Sequence, residues 1–115
     1  MEMKYKLKVL FTFAKEAKRL GKRYPSLKED VNELGREILV NPRLGADLGG
    51  GLRKIRMAIT SKGKGKSGGA RVITYTIIVQ VNEAEINLLT IYDKAERDSI
   101  SKEELKELLQ KNGLA

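Results

Sequence analysis

GLRKIRMAITSKGKGKSGGARVITYTIIVQVNEAEINLLTIYD, residues 51–93, decides the fold. Successive side chains of an extended chain point to opposite sides, so Ile55, Met57 and Ile59 share one strand face and Lys54, Arg56 and Ala58 the other. The next segment, TSKGKGKSGG over residues 60–69, has no hydrophobe and reads as a flexible turn. Val72 to Val81 is apolar on both faces and rich in β-branched residues, which predicts a central strand. Asn82-Glu83-Ala84-Glu85 is a turn, and Ile86 to Tyr92 is a further strand. Three strands joined by short turns form an antiparallel meander.

Upstream, Tyr5, Leu7, Val9 and Phe11 alternate with Lys4, Lys6 and Lys8, the pattern of a half-buried strand. Phe13, Ala17, Leu20 and Tyr24 then recur at helical spacing, with Thr12 as the expected N-cap and Pro25 as the stop. Ser26-Leu27-Lys28-Glu29 reads as a capping box for a second helix whose stripe is Leu27, Val31, Leu34 and Ile38. Asn41-Pro42 ends it, since the residue before proline is pushed out of the helical region. Helices joined this tightly form an antiparallel hairpin. Gly45 and Gly49-Gly50-Gly51 mark a loop. Downstream, Ser101-Lys102-Glu103-Glu104 is another capping box, Ile100 and Leu105 match a hydrophobic staple, and Gly113 is a C-cap candidate. The expected fold is α+β, β-α-α-β-β-β-α, in one domain over residues 1–115. It has an antiparallel sheet, a two-helix hairpin on one face and a C-terminal helix at about 101–112, with the helices on one side of the sheet.

A chain of 115 residues buries a real core without disulfides or metals. The chain has no cysteine, which removes thiol nucleophiles and zinc–thiolate sites, and no histidine, which removes the usual metal ligand and the side chain that titrates near neutrality. No metal and no cofactor are therefore expected, and any catalysis falls to Lys, Arg, Tyr, Ser/Thr or carboxylates. No apolar run approaches a membrane span, and MEMK is not followed by a signal-peptide core, so the expected location is cytoplasmic with no membrane partner.

The net charge is +8, and residues 51–71 alone carry +7, from Arg53, Lys54, Arg56, Lys62, Lys64, Lys66 and Arg71 with no acid. A block of one sign repels itself and is explained better by an anionic partner than by a solvated surface. The loop is not a phosphate-binding P-loop. Gly65-Lys66-Ser67 is present, but Thr60 stands where the first glycine should be, and a strand follows instead of a helix. The basic strand face says more. Lys54 and Arg56 point the same way, and an antiparallel return brings Arg71 alongside, so the three cations meet. A bland alternative is a solvated face, or Arg71 neutralised by a carboxylate such as Asp93. In the sharper reading the cations match a phosphodiester and the charge that develops on it during transfer. Crowding by other cations favours a neutral amine, so one lysine can accept the 2′-hydroxyl proton of RNA while arginine grips the phosphoryl oxygens. So sparse a set needs a large partner to position the RNA.

The stretch 51–75, GLRKIRMAITSKGKGKSGGARVITY, followed by LLTIYDKAERDSIS at 88–101, resembles the RelE/ParE superfamily of toxin–antitoxin toxins, most closely its HigB-like branch. The resemblance covers nearly the whole chain and implies a RelE-like fold. It implies a metal-independent endoribonuclease, an mRNA interferase that cuts translated mRNA in the ribosomal A site and inhibits translation. The implied partners are the ribosome, through its 16S rRNA and the mRNA, and a cognate antitoxin encoded next door, often of helix-turn-helix type. The resemblance places Lys54 and Arg56 on the family's basic pair, Arg71 on the arginine that supports the transition state, and Lys94 near the basic position after the last strand. Arg53, Lys62, Lys64 and Lys66 are the implied RNA contacts. RelE itself carries a tyrosine in its C-terminal segment; this chain has none beyond Tyr92, a weak substitute. A ParE-type gyrase inhibitor without nuclease activity and a plain RNA-binding module are the competing readings, since fold alone does not separate them.

Overall fold

The computed structural model describes residues 2–115. Its elements are β1 (Lys4–Val9), α1 (Phe11–Arg23), α2 (Leu27–Val40), β2 (Ala46–Gly49), β3 (Leu52–Met57), β4 (Ala70–Gln80), β5 (Glu83–Asp93) and α3 (Lys102–Lys111). A single 3-10 turn, Thr60–Lys62, opens the basic loop. The expected α+β architecture is present. The sheet order is β1-β5-β4-β3-β2, so the segment rich in β-branched residues is central. The meander β3-β4-β5 is antiparallel, but β1 runs parallel to β5, and the sheet is therefore mixed. β2 is an addition to the expected order. It is a four-residue edge strand that folds back on β3 where a loop was expected. No helix among the described residues is long and apolar enough to cross a membrane.

The α1–α2 hairpin lies on one face. Phe13, Leu20, Tyr24, Leu27, Leu34 and Ile38 meet Ile55, Met57, Val72, Ile86, Leu88 and Ile91 there. α3 does not join them, contrary to the expectation that the helices share one side. Leu105 and Leu109 pack with Ile73 and Leu89 in a second cluster on the opposite face. That face also carries Lys54, Arg56 and Arg71, so α3 covers only part of it and leaves the cationic part open.

Two expected caps are replaced. Leu10, not Thr12, occupies the N-cap of α1. Thr12 lies inside the helix, buried, and its hydroxyl donates to the Leu89 carbonyl at 2.5 Å. Ser26 precedes α2 in helical conformation without capping it. Its hydroxyl instead donates to Asp30 at 2.7 Å and accepts from the Ser61 N–H at 2.8 Å. Ser101 caps α3 as expected, accepting from the Glu104 N–H at 3.1 Å.

A bulge in β5 decides which side chains reach which face. Ile73 pairs with Thr90 but Thr74 pairs with Leu88, so Leu89 is an extra residue. Unbroken alternation from Ile86 and Leu88 would turn Tyr92 toward the helical hairpin. The inserted residue reverses this. Ile91 and Asp93 face the hairpin, and Tyr92 stands opposite Arg71 on the other face.

At the entry to β4 the chain passes close to β3. A Cβ at Gly69 would lie 2.2 Å from the Met57 carbonyl oxygen. Gly69→Ala is expected to destabilise the protein by about 1–3 kcal/mol through this backbone collision. Urea denaturation would read the loss as a lower midpoint at unchanged slope.

Candidate active site

Arg56 on β3 stands directly opposite Arg71 on β4, and Lys54 lies two residues earlier on the same strand face. Like charges in adjacent strand positions repel, so this arrangement costs stability. With Lys94, just past β5, they line a pocket of about 270 Å³ completed by Gly45, Ala46 and Asp98. The expected convergence of Lys54, Arg56 and Arg71 is therefore present, and Lys94 joins them.

The cations are held in different ways. Arg71 is buried, yet its partners are backbone carbonyls. Nη1 donates to Lys66 at 3.0 Å and to Ala70 at 3.2 Å, and Nη2 to Ser67 at 3.1 Å. Carbonyls orient the guanidinium without cancelling its charge. Lys94 donates to the side chain and backbone oxygens of Asp98. That ammonium holds the Asp98 carboxyl below its ordinary value, with smaller help from Arg71 and Lys54. Among the described residues Lys54, Arg56 and Arg71 form no ion pair. The alternative in which Asp93 neutralises Arg71 does not occur.

The pocket wall depends on residues that carry no chemistry. Gly45 has φ +90°, and a Cβ there would lie 2.4 Å from the Lys54 carbonyl oxygen. Arg53, expected as an RNA contact, holds this wall from behind. Its Nε donates to the Leu44 carbonyl at 3.2 Å and Nη2 to Gly45 at 2.8 Å.

Lys62, expected with Lys64 and Lys66 as an RNA contact, is instead turned inward, its side chain only 10% exposed. Its ammonium donates to Asp93 Oδ1 at 2.6 Å, and the Asp93 carboxylate is wholly buried. The Tyr24 hydroxyl donates to the other carboxylate oxygen at 2.6 Å, and the Ala95 N–H donates to Oδ1 at 2.9 Å. Burial alone would push the Asp93 carboxyl up. The Lys62 ammonium, the Tyr24 hydroxyl and the Ala95 N–H outweigh that and hold it below the ordinary value. Lys64 and Lys66 are exposed.

Tyr92 is the cross-strand neighbour of Arg71 but does not line the cationic pocket. It borders a groove of about 540 Å³ between α1 and α3. Its hydroxyl is buried with no hydrogen-bond partner among the described residues, and the Arg97 guanidinium lies 5.5 Å from its ring centroid. Burial pushes the phenol up, while Arg71, Lys94 and Arg97 pull the other way. Residue spacing did not reveal Asp98 in the pocket, Arg53 as the support of its wall, or Asp93 as the partner of Lys62. For Asp93 a signal existed, because a carboxylate ending so apolar a strand needs a partner.

Fold and pocket together define a small basic α+β protein with a cationic pocket on the open part of its sheet. The family model described as "RelE toxin of RelE / RelB toxin-antitoxin system" matches residues 5–113. The chain belongs to that family. It is a toxin of a type II toxin–antitoxin module, and a cognate antitoxin is its partner.

Proposed function

We propose that this toxin is a metal-independent, ribosome-dependent mRNA endonuclease acting in the cytoplasm. The observation that carries this reading is the gathering of Lys54, Arg56, Arg71 and Lys94 around one pocket with a single carboxylate. Lys54, the lysine of the pocket without a carboxylate partner, takes the 2′-hydroxyl proton. The 2′-oxygen attacks phosphorus and forms a 2′,3′-cyclic phosphate. The bond to the 5′-oxygen breaks, and Lys94, as its ammonium, supplies the proton to that leaving group. Arg56 and Arg71 bind the non-bridging oxygens, whose charge grows in the transition state. Tyr92 acts at most through Arg71, its strand neighbour. Exposed Lys64 and Lys66 contact ribosomal RNA, and the ribosome positions the mRNA. The antitoxin, of helix-turn-helix type if the chain lies in the HigB-like branch, silences the toxin by covering the cationic face.

Primer extension on mRNA from programmed ribosomes tests the reading. Discrete cuts within the A-site codon are expected. Intact mRNA together with trapped gyrase–DNA complexes would favour the ParE-like reading instead. Affinity carries a second prediction. If all seven cations of residues 51–71 touched a single strand, the log–log salt slope would be about −5. Arg53 and Lys62 are held by other groups of the protein and lie outside the pocket, whereas Arg71 lines it, which leaves five contacts and a slope of about −3.5. Titrating ribosomal RNA binding against salt measures it.

A further inference from the structure

The loop TSKGKGKSGG has the composition of a flexible linker, yet it is tied down at both ends. At its start the Thr60 N–H and hydroxyl donate to Asp30 at 2.9 and 2.6 Å. Two residues on, Lys62 reaches the buried Asp93. At its end the Lys66 and Ser67 carbonyls accept from Arg71, and the Gly69 carbonyl accepts from the Lys94 N–H at 3.0 Å. Asp93 in turn holds the turn that follows it. Its carboxylate accepts from the Ala95 N–H, and its carbonyl from the Glu96 and Arg97 N–H groups at 3.0 and 3.1 Å. Asp93 and Lys94 are consecutive, with Asp93 turned to the helical hairpin and Lys94 to the pocket.

We infer that Lys62 is a positioning residue: its buried pair with Asp93 locks the basic loop to the end of β5 and thereby sets Arg71 and Lys94 relative to each other. The inference rests on the nuclease reading above. A buried ion pair is weak evidence for stability, because apolar side chains of similar volume hold a core as well. What this pair adds is a fixed distance between two segments that each hold one pocket cation. Arg71 is aimed by loop carbonyls, and those carbonyls stay in place only while the loop does. Lys94 rides on the turn that the Asp93 carboxylate fastens. Tyr24, the C-cap of α1, braces the same carboxylate, so the loop, the end of β5 and the end of α1 meet at one group. Lys62 touches no substrate in this scheme. A displacement of about 1 Å in a reacting group costs on the order of 100-fold in rate.

The test compares Lys62→Met with wild type in single-turnover cleavage on programmed ribosomes, in ribosome affinity, and in hydrogen exchange. The expected result is cleavage slower by about 30- to 100-fold with affinity changed by less than about 3-fold. The Gly63, Gly69 and Lys94 amides, each hydrogen-bonded, should exchange at least about 10-fold faster, while β4 amides keep their protection. Cleavage within about 3-fold of wild type would overturn the inference. An affinity loss as large as the rate loss would overturn it too, because Lys62 would then be an RNA contact. If Lys62→Met does not fold, Tyr24→Phe takes its place. It removes one bond to Asp93 and is expected to slow cleavage by about 3- to 10-fold at unchanged affinity; an unchanged rate would overturn the inference. If wild type cuts nothing on ribosomes, the nuclease reading fails. The exchange comparison then decides the lock alone, with unchanged Gly69 and Lys94 amides counting against it.

Discussion

Lys54→Ala is expected to lower ribosomal cleavage by about 10³-fold and to abolish growth arrest on expression, while the thermal midpoint stays near that of wild type. Lys54 is half-buried on the open strand face and forms no ion pair among the described residues, so its removal strands no buried partner. The informative comparison is Lys54→Arg. Arginine keeps the charge but does not give up its proton in proteins. If Lys54 removes the 2′-hydroxyl proton, Lys54→Arg stays nearly as slow as Lys54→Ala. If it contributes only field, Lys54→Arg recovers to within about 10-fold of wild type and the base assignment is wrong. Arg71→Ala behaves differently. It removes transition-state charge and also frees the Lys66 and Ser67 carbonyls, so it should lose both rate and loop order. Retained toxicity in both Lys54→Ala and Arg71→Ala would remove the nuclease reading.

That Lys54, Arg56 and Arg71 converge was legible because it needs only local rules. Period-2 parity puts Lys54 and Arg56 on one face, and an antiparallel return sets Arg71 beside them. The helical stripes were legible for the same reason, since Phe13, Leu20, Leu34 and Ile38 recur at the helical period and all reach the core. What escaped depends on contacts between distant segments. The parallel pairing of β1 with β5 joins residues some eighty positions apart, and no local pattern encodes it. β2 is four residues long and ends in glycine, too short for alternation to register. The bulge at Leu89 adds one residue inside an apolar run, where either face tolerates a leucine. Lys62 sits in a loop whose composition signals solvent, and only the demand of buried Asp93 draws it inward. The same bulge sets Tyr92 opposite Arg71 and turns Asp93 to the hairpin side, so one inserted residue accounts for both placements.

Asp93→Ala is expected to be the most destabilising single substitution considered, by about 3 kcal/mol at neutral pH. It removes the acceptor for the Lys62 ammonium, the Tyr24 hydroxyl and the Ala95 N–H together, each of which is otherwise left short of a partner. The loss should fall toward the low end for broken buried pairs, because Lys62 lies on a surface loop and its ammonium can swing into water. The pH dependence has a fixed sign. The folded carboxyl titrates below its ordinary value of 3.8, so its contribution is fully present above that value and is lost as pH falls through the lower folded one. The stability gap between wild type and Asp93→Ala should therefore be constant from neutrality to about pH 5 and close in stronger acid. A gap that instead widened on acidification would mean that Asp93 is protonated in the folded protein and that Lys62 is not its ionic partner. The double variant Lys62→Met with Asp93→Leu separates stability from alignment. Replacing both charges by apolar side chains should recover more than half of the lost stability in urea melts, since no ion is left buried alone. It restores no directional bond between the loop and the end of β5, so cleavage should remain as slow as in Lys62→Met. A double variant that regained both stability and rate would show that this corner of the protein needs only to be filled, not fastened.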